Sequence, residues 1–109
     1  MSVDQVLLAL ADPTRRHLLE ELGRRPACSA TTLAAQLPVS RQAVARHLTV
    51  LRESQLVTSH RAGKEVLFTA RPEQLTATAA WMTTLAATWD ERLRLLKREA
   101  ERGSPGQSL

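Results

Sequence analysis

Cysteine and aromatic residues are nearly absent from this sequence of 109 residues, which has one Cys, one Phe, two Trp and no Tyr. A single cysteine, Cys28, cannot form a disulfide within the chain, and this agrees with a reducing compartment. Abundant Leu and Ala with few aromatics favour helices over a β-sandwich. No apolar run approaches the roughly 18 residues of a membrane span, and the N-terminus lacks a signal pattern. We therefore expect one cytoplasmic domain.

The sequence also lacks the spacings that carry catalysis or hold metals. It contains no Gly-rich phosphate loop, no nucleophile elbow and no carboxylate pair at helical spacing, so we expect no enzyme. A thiolate metal site needs two or three cysteines. His17, His47 and His60 share no spacing pattern, and residues 72–102 contain no His. We expect neither a metal nor a cofactor.

Capping residues predict two helices at the start of the chain. Ser2 and Gln5 form a capping box, which predicts a helix over residues 3–10. Asp12 suits an N-cap and Pro13 suits the first helical position, so a second helix begins there. Gly23 predicts the end of that helix.

Two further caps predict a helix-turn-helix over residues 30–53. Ser29 can cap a short third helix that Pro38 ends. Ser40 can cap a fourth helix, whose buried stripe consists of Val44, Leu48 and Leu51.

Residues 56–69 predict a β-hairpin, because two β-branched runs flank Gly63. A long helix follows over about residues 73–102, with apolar residues recurring every seven positions. Residues 103–109 are expected to be disordered. The predicted fold is mainly α (α+β), a winged helix-turn-helix of order α-α-α-α-β-β-α over residues 1–102.

The positive charge is concentrated in residues 40–64. This segment holds five basic residues and one acidic residue, and its excess equals the +4 of the whole chain. Such clustering on a helix and a hairpin is typical of DNA binding. Arg41 and Arg46 suit guanine edges, and Gln42 suits adenine edges. The residues expected to contact DNA are Thr31, Thr32, Ser40, Arg41, Gln42, Ala43, Arg46, His47, Thr49, His60, Arg61 and Lys64.

The sequence resembles the ArsR family of bacterial transcriptional repressors. The resemblance rests on LADPTRR at residues 10–16, VSRQAVARHLTVL at 39–51, Leu56-Val57, and the RAGK wing at 61–64. It implies a homodimer, formed by the first and last helices, that binds a palindromic operator of double-stranded DNA. The long last helix looks most like the autorepressor subgroup that lacks metal sites. Two departures are Pro38 in the turn, where relatives often have Gly, and Thr32, where many have Glu.

A long amphipathic helix also needs a partner to cover its apolar face, and a second copy is the simplest one. The residues expected at the dimer interface are Val3, Val6, Leu7, Leu10, Leu75, Met82, Leu85, Trp89, Leu93 and Leu96.

Several alternatives remain open at this point. The chain could be a non-specific nucleoid-associated protein, a redox-responsive repressor acting through Cys28, or a protein-interaction module. Trp81, Met82, Leu85 and Trp89 could line an apolar ligand pocket, although heptad spacing favours a helix–helix interface. His47 could pack within the protein instead of contacting a base.

Overall fold

Local capping determines where the first four helices begin. The computed structural model describes residues 2–107, and side chains as far as Gly103. Helix α1 (Val3–Leu10) follows the Ser2–Gln5 capping box, and helix α2 (Pro13–Arg24) follows an Asp12 cap. Helices α3 (Ala30–Ala34) and α4 (Arg41–Glu53) follow Ser29 and Ser40. All four predicted caps are confirmed.

A three-stranded antiparallel sheet completes the winged helix. Strands β2 (Val57–Ala62) and β3 (Glu65–Ala70) form the predicted hairpin. A short strand β1 (Cys28–Ser29) pairs with β3 on its other edge, so the strand order is β1-β3-β2. The predicted order omitted β1, because a pairing of two residues leaves no periodic pattern in the sequence.

The chain divides into two compact units, Met1–Thr78 and Ala79–Leu109. The first unit holds the core, to which α1, α2, α3, α4 and the sheet all contribute. Its buried apolar residues are Val6, Ala9, Leu18, Leu19, Leu22, Cys28, Leu33, Val44, Leu48, Leu51, Leu56, Val57 and Phe68. Burial of the predicted α4 stripe fixes which face of that helix remains outside.

The last helix, α5 (Glu73–Gln107), continues five residues beyond the expected end at Arg102. Residues 103–107, which were expected to be disordered, are helical. Gly103, Pro105 and Gly106 have low helix propensity, but extending an existing helix avoids the cost of nucleation. Ser108 and Leu109 lie outside the described residues.

Candidate nucleic-acid interface

The N-terminal half of α4 presents three polar side chains on its outer face. Ser40 Oγ accepts a hydrogen bond from the Ala43 backbone N at 3.1 Å and so fixes the first turn. Because the stripe of Val44, Leu48 and Leu51 is buried, the opposite face must meet solvent. Arg41, Gln42 and Arg46 are all exposed there. Long side chains on an uncovered helix face can reach base edges in a major groove.

A groove between α3, α4 and the hairpin brings several predicted contact residues together. Thr31 of α3, Arg41 and Thr49 of α4, and Lys64 of the hairpin turn all line it. Arg52 also lines the groove, and Glu65 is its acidic member. Three cations against one carboxylate make this concavity suitable for an anionic backbone.

Ion pairing distinguishes the cations of this surface from those of α2. Among the ion pairs of the described residues, none involves Arg41, Arg46, Arg61 or Lys64. By contrast, Glu21 on α2 pairs with both arginines that follow it. Unpaired positive charge on one surface attracts polyanions that come within about one Debye length of it.

The hairpin carries the remaining predicted cations at its tip. Arg61 pairs with Val66, and Ala62 pairs with Glu65, directly before the turn. Gly63 has φ +65°, a left-handed conformation that favours glycine. His60, Arg61 and Lys64 are exposed around this turn. This arrangement resembles a wing that can contact DNA beside α4.

Other predicted contact residues have partners within the protein. Thr49 Oγ1 donates to the Ala45 backbone oxygen at 3.1 Å, and Thr32 Oγ1 accepts from Ser29 Oγ at 3.1 Å. Thr32 therefore takes part in the cap of α3 even though Glu is absent there. Ala43 is half-buried.

His47 is placed differently from the exposed α4 residues. It is half-buried, and its Nδ1 lies 3.3 Å from Nη1 of Arg15 on α2. This placement favours the packed, hydrogen-bonded role over the base contact that was the other interpretation of His47.

Two residues important to this region were not predicted. Arg52 Nη1 donates to Ser59 Oγ at 3.2 Å, which links α4 to β2. Arg15 donates from Nε to the Ala9 backbone oxygen at 2.6 Å. The role of Arg15 could have been indicated by its position shortly after the end of α1, because an arginine there can donate to the free carbonyls of the helix end.

Asp12 holds the start of α2 as an ionised cap. Its Oδ1 accepts from the backbone N of Thr14 at 2.8 Å and of Arg15 at 3.1 Å. The hydrogen bond from the Arg15 backbone is the largest cause of a lowered pKa of Asp12; partial desolvation opposes it, and the hydrogen bond from the Thr14 backbone adds to it. A carboxylate is the preferred partner of a helix N-terminus.

Helix α5, taken by itself, exposes one continuous apolar face. Five predicted interface residues follow one another at intervals of three or four, which places them on one side of the helix. They are Met82, Leu85, Trp89, Leu93 and Leu96, and Trp89 is 57% exposed. Ion pairs such as Arg94–Glu91 and Lys97–Glu101 occupy other positions of the helix.

The remaining predicted interface residues differ in accessibility. Val6 is completely buried in the core of its own chain, so its assignment to the dimer interface is wrong. Leu10 and Leu75 are partly buried against the same core, and Val3 is half-buried. Leu7 is 38% exposed and is available for contact. The amphipathic pattern of α1 did not distinguish its core side from its outer side.

The described residues contain no group of three or more His, Cys, Asp or Glu side chains able to hold a metal ion. Cys28 is buried, and its thiol donates to the Pro26 backbone oxygen at 3.3 Å. A reactive thiol needs exposure and an electropositive environment, so this placement does not favour a redox switch. Within the described part of the chain, no helix has the length and apolarity to cross a membrane.

Comparison with known proteins agrees with this geometry. A helix-turn-helix domain family matches residues 10–60. An HTH-type transcriptional regulator of Mycobacterium tuberculosis is 40% identical over 92 residues, covering 84% of this chain and 82% of that protein. The transcriptional repressor SdpR of Bacillus subtilis is 25% identical, over 84% of this chain and all of its own length.

A solved structure extends the likeness to the fold. The ArsR-like transcriptional regulator from Rhodococcus sp. RHA1 has a TM-score of 0.80 and 43% identity, covering 90% of this chain and 92% of its own. Both the winged helix-turn-helix architecture and the sequence are therefore shared with DNA-binding regulators. This chain belongs to the ArsR family of winged helix-turn-helix transcriptional repressors.

Proposed function

We propose that this protein is a dimeric, sequence-specific repressor that reads an inverted-repeat operator with α4 and blocks access to a promoter. The observation that carries the proposal is the outer face of α4, where Arg41, Gln42 and Arg46 are exposed and make no ion pair among the described residues. Phosphate binding alone would need only cations. A glutamine between arginines adds a group able to distinguish adenine.

The wing supplies a second type of contact in this proposal. Lys64 lines the groove beside Arg41, and Arg61 lies on the strand before the turn. Contacts of this kind to phosphates add affinity and fix orientation without reading sequence. Thr31 and Ser40 lie at the starts of α3 and α4, where hydroxyls can donate to phosphate oxygens.

A second copy of the chain is the proposed partner of α5. An exposed stripe of Met82, Leu85, Trp89, Leu93 and Leu96 is too apolar to remain in water without cost. Leu7 of α1 is also exposed, and we propose that it contacts the second copy. A two-fold dimer would present two α4 helices to half-sites about 34 Å apart, or one DNA turn. The proposed operator is therefore an inverted repeat, and regulation of the protein's own promoter fits the autorepressor subgroup.

Selection of bound duplexes from a random library tests this function. We expect enrichment of an inverted repeat whose half-site centres lie about 10 base pairs apart. Binding without enrichment of any sequence would instead support a non-specific nucleoid-associated protein. Arg98→Ala on α5 is the matched control for loss of charge, because the proposal gives Arg98 no DNA contact. It should select the same sequence as the wild-type protein.

A further inference from the structure

The Arg15 guanidinium connects three helices. Its Nε donates to the Ala9 backbone oxygen at 2.6 Å, and its Nη2 donates to the Leu8 backbone oxygen at 3.1 Å. These contacts satisfy carbonyls at the end of α1. Its Nη1 lies 3.3 Å from His47 Nδ1 on α4. One side chain of α2 thus links the end of α1 to the middle of the helix that carries Arg46.

The chemistry of this contact assigns the direction of the hydrogen bond. A guanidinium has only donors, so His47 Nδ1 must be the acceptor and the ring proton must lie on Nε2. The backbone N of Arg15 in turn donates to Asp12 Oδ1 at 3.1 Å. The backbone and the side chain of Arg15 are therefore both fixed by polar contacts, and the guanidinium is a well-defined anchor for His47.

Apolar packing alone restricts the rotation and the sliding of α4 only weakly. Val44, Leu48 and Leu51 bury the inner face, but apolar contacts depend little on direction. A hydrogen bond weakens steeply when its angle changes. The Arg15–His47 contact therefore limits rotation of α4 about its axis and sliding along it. Arg46, the neighbour of His47, is exposed and would move with either displacement.

We propose that His47 is a positioning residue for DNA recognition: through Arg15 it sets the orientation in which α4 presents Arg46, and it does not itself contact a base. This inference rests on the proposed function. Binding groups must be held close to their productive geometry by supporting contacts. Loss of the contact should therefore lower operator affinity and leave the preferred sequence unchanged.

A double-mutant cycle tests the proposal. His47→Leu removes the acceptor, and Arg15→Met removes the donors but retains an apolar stem. Operator affinity is measured by fluorescence anisotropy at one salt concentration, on the duplex that the wild-type protein selects. We expect each single variant to lose about tenfold in affinity, as for a hydrogen bond to a charged group. The double variant should be no weaker than the weaker single variant, because the two residues act through one contact.

His47→Asn provides the rescue. The Asn side-chain oxygen can occupy nearly the position of Nδ1 and accept from Arg15. We expect its affinity to stay within about threefold of wild type, well above that of His47→Leu. A residue needed only to fill space would not be rescued by a polar side chain. Melting temperatures and sedimentation, recorded for every variant, ensure that folded dimers are compared.

Three results would overturn the proposal: additive losses in the cycle, equal weakness of His47→Asn and His47→Leu, or a changed preference at one operator position for a His47 variant. The last result would assign a direct base contact to His47. Should Arg15→Met not fold, the affinities and selected sequences of the two His47 variants decide alone. If the wild-type protein selects no sequence, the proposed function has failed; if it does and the cycle is additive, only the role of His47 has failed.

Discussion

Arg52 Nη1 lies 3.2 Å from Ser59 Oγ, and this hydrogen bond joins the last turn of α4 to the first long strand of the wing. The two groups belong to the parts of the protein that we propose to meet bases and backbone respectively. Their contact gives the wing a fixed position relative to α4, and it can be removed without changing the charge of the protein.

Ser59→Ala should weaken DNA binding about threefold, because the wing loses its connection to Arg52 while the arginine charge remains. The loss should be equal on the selected operator and on random DNA, since the wing contacts do not read sequence. Thr58→Ala, on the same strand and exposed, is the control. Equal losses for Ser59→Ala and Thr58→Ala would contradict a bracing role for this contact. Fluorescence anisotropy at constant salt measures both.

Arg46→Ala should cost about 1–3 kcal/mol of operator binding and relax the preference at one base position. The reason is the loss of a bidentate contact that only guanine satisfies well. Arg61→Ala should weaken all sequences alike and reduce the salt slope by about one, because it removes a phosphate contact.

The two variants serve as controls for each other, since each removes one exposed arginine. Titrations over a range of salt concentrations, on operator and on random duplexes, separate their effects. If both lost affinity equally on both kinds of DNA, the proposal of sequence-specific reading by α4 would be refuted.

Trp89→Glu should produce monomers in sedimentation experiments. A carboxylate in the middle of the exposed apolar face of α5 would have to be desolvated on dimerisation, at a cost that the remaining contacts cannot offset. Ala87→Glu introduces the same charge on another face of this helix and should remain dimeric. A dimer that persists in Trp89→Glu would place the interface elsewhere.

The lowered pKa of Asp12 predicts a specific loss of stability in acid. The folded state stabilises the ionised carboxylate of Asp12 relative to the unfolded state. Its contribution to the free energy of unfolding is therefore fully present above the usual pKa of 3.8, and it disappears as the pH falls through the folded pKa. Asp12→Asn keeps a capping oxygen but cannot ionise. Its urea midpoint should therefore fall less than that of the wild-type protein between about pH 5 and pH 2. Parallel curves for the two proteins would contradict this role of the carboxylate.

The helix starts and the buried face of α4 could be predicted because their signals are local. Ser2, Asp12, Ser29 and Ser40 each accept from a backbone N–H two or three residues ahead, so adjacent sequence contains the whole interaction. The buried stripe of α4 likewise follows from spacing within one helix.

The features that were missed depend on residues distant in sequence. Arg15 meets His47 across 32 positions, and a long side chain can reach many partners, so spacing does not predict the contact. Strand β1 forms by pairing with β3, where Cys28 lies opposite Phe68, so its signal is not contained in the adjacent sequence. Val6 was assigned to the wrong surface because α1 has apolar residues on several sides, including Leu8, which is 70% exposed.

Strand β3 lies between β1 and β2, and this central position has a consequence for how the wing deforms. At Leu67 and Phe68, in its middle, β3 pairs with the strand whose last residue, Ser29, also caps α3. Toward the turn at Gly63, its residues Glu65 and Val66 pair with β2 only. Amide exchange should therefore be slow at Leu67 and Phe68 and fast near the turn. The hairpin is therefore held by β1 at the middle of β3 and is less restrained toward its turn. In the proposed complex, the turn would adapt to local changes in groove width while α3 and α4 keep their positions on the DNA.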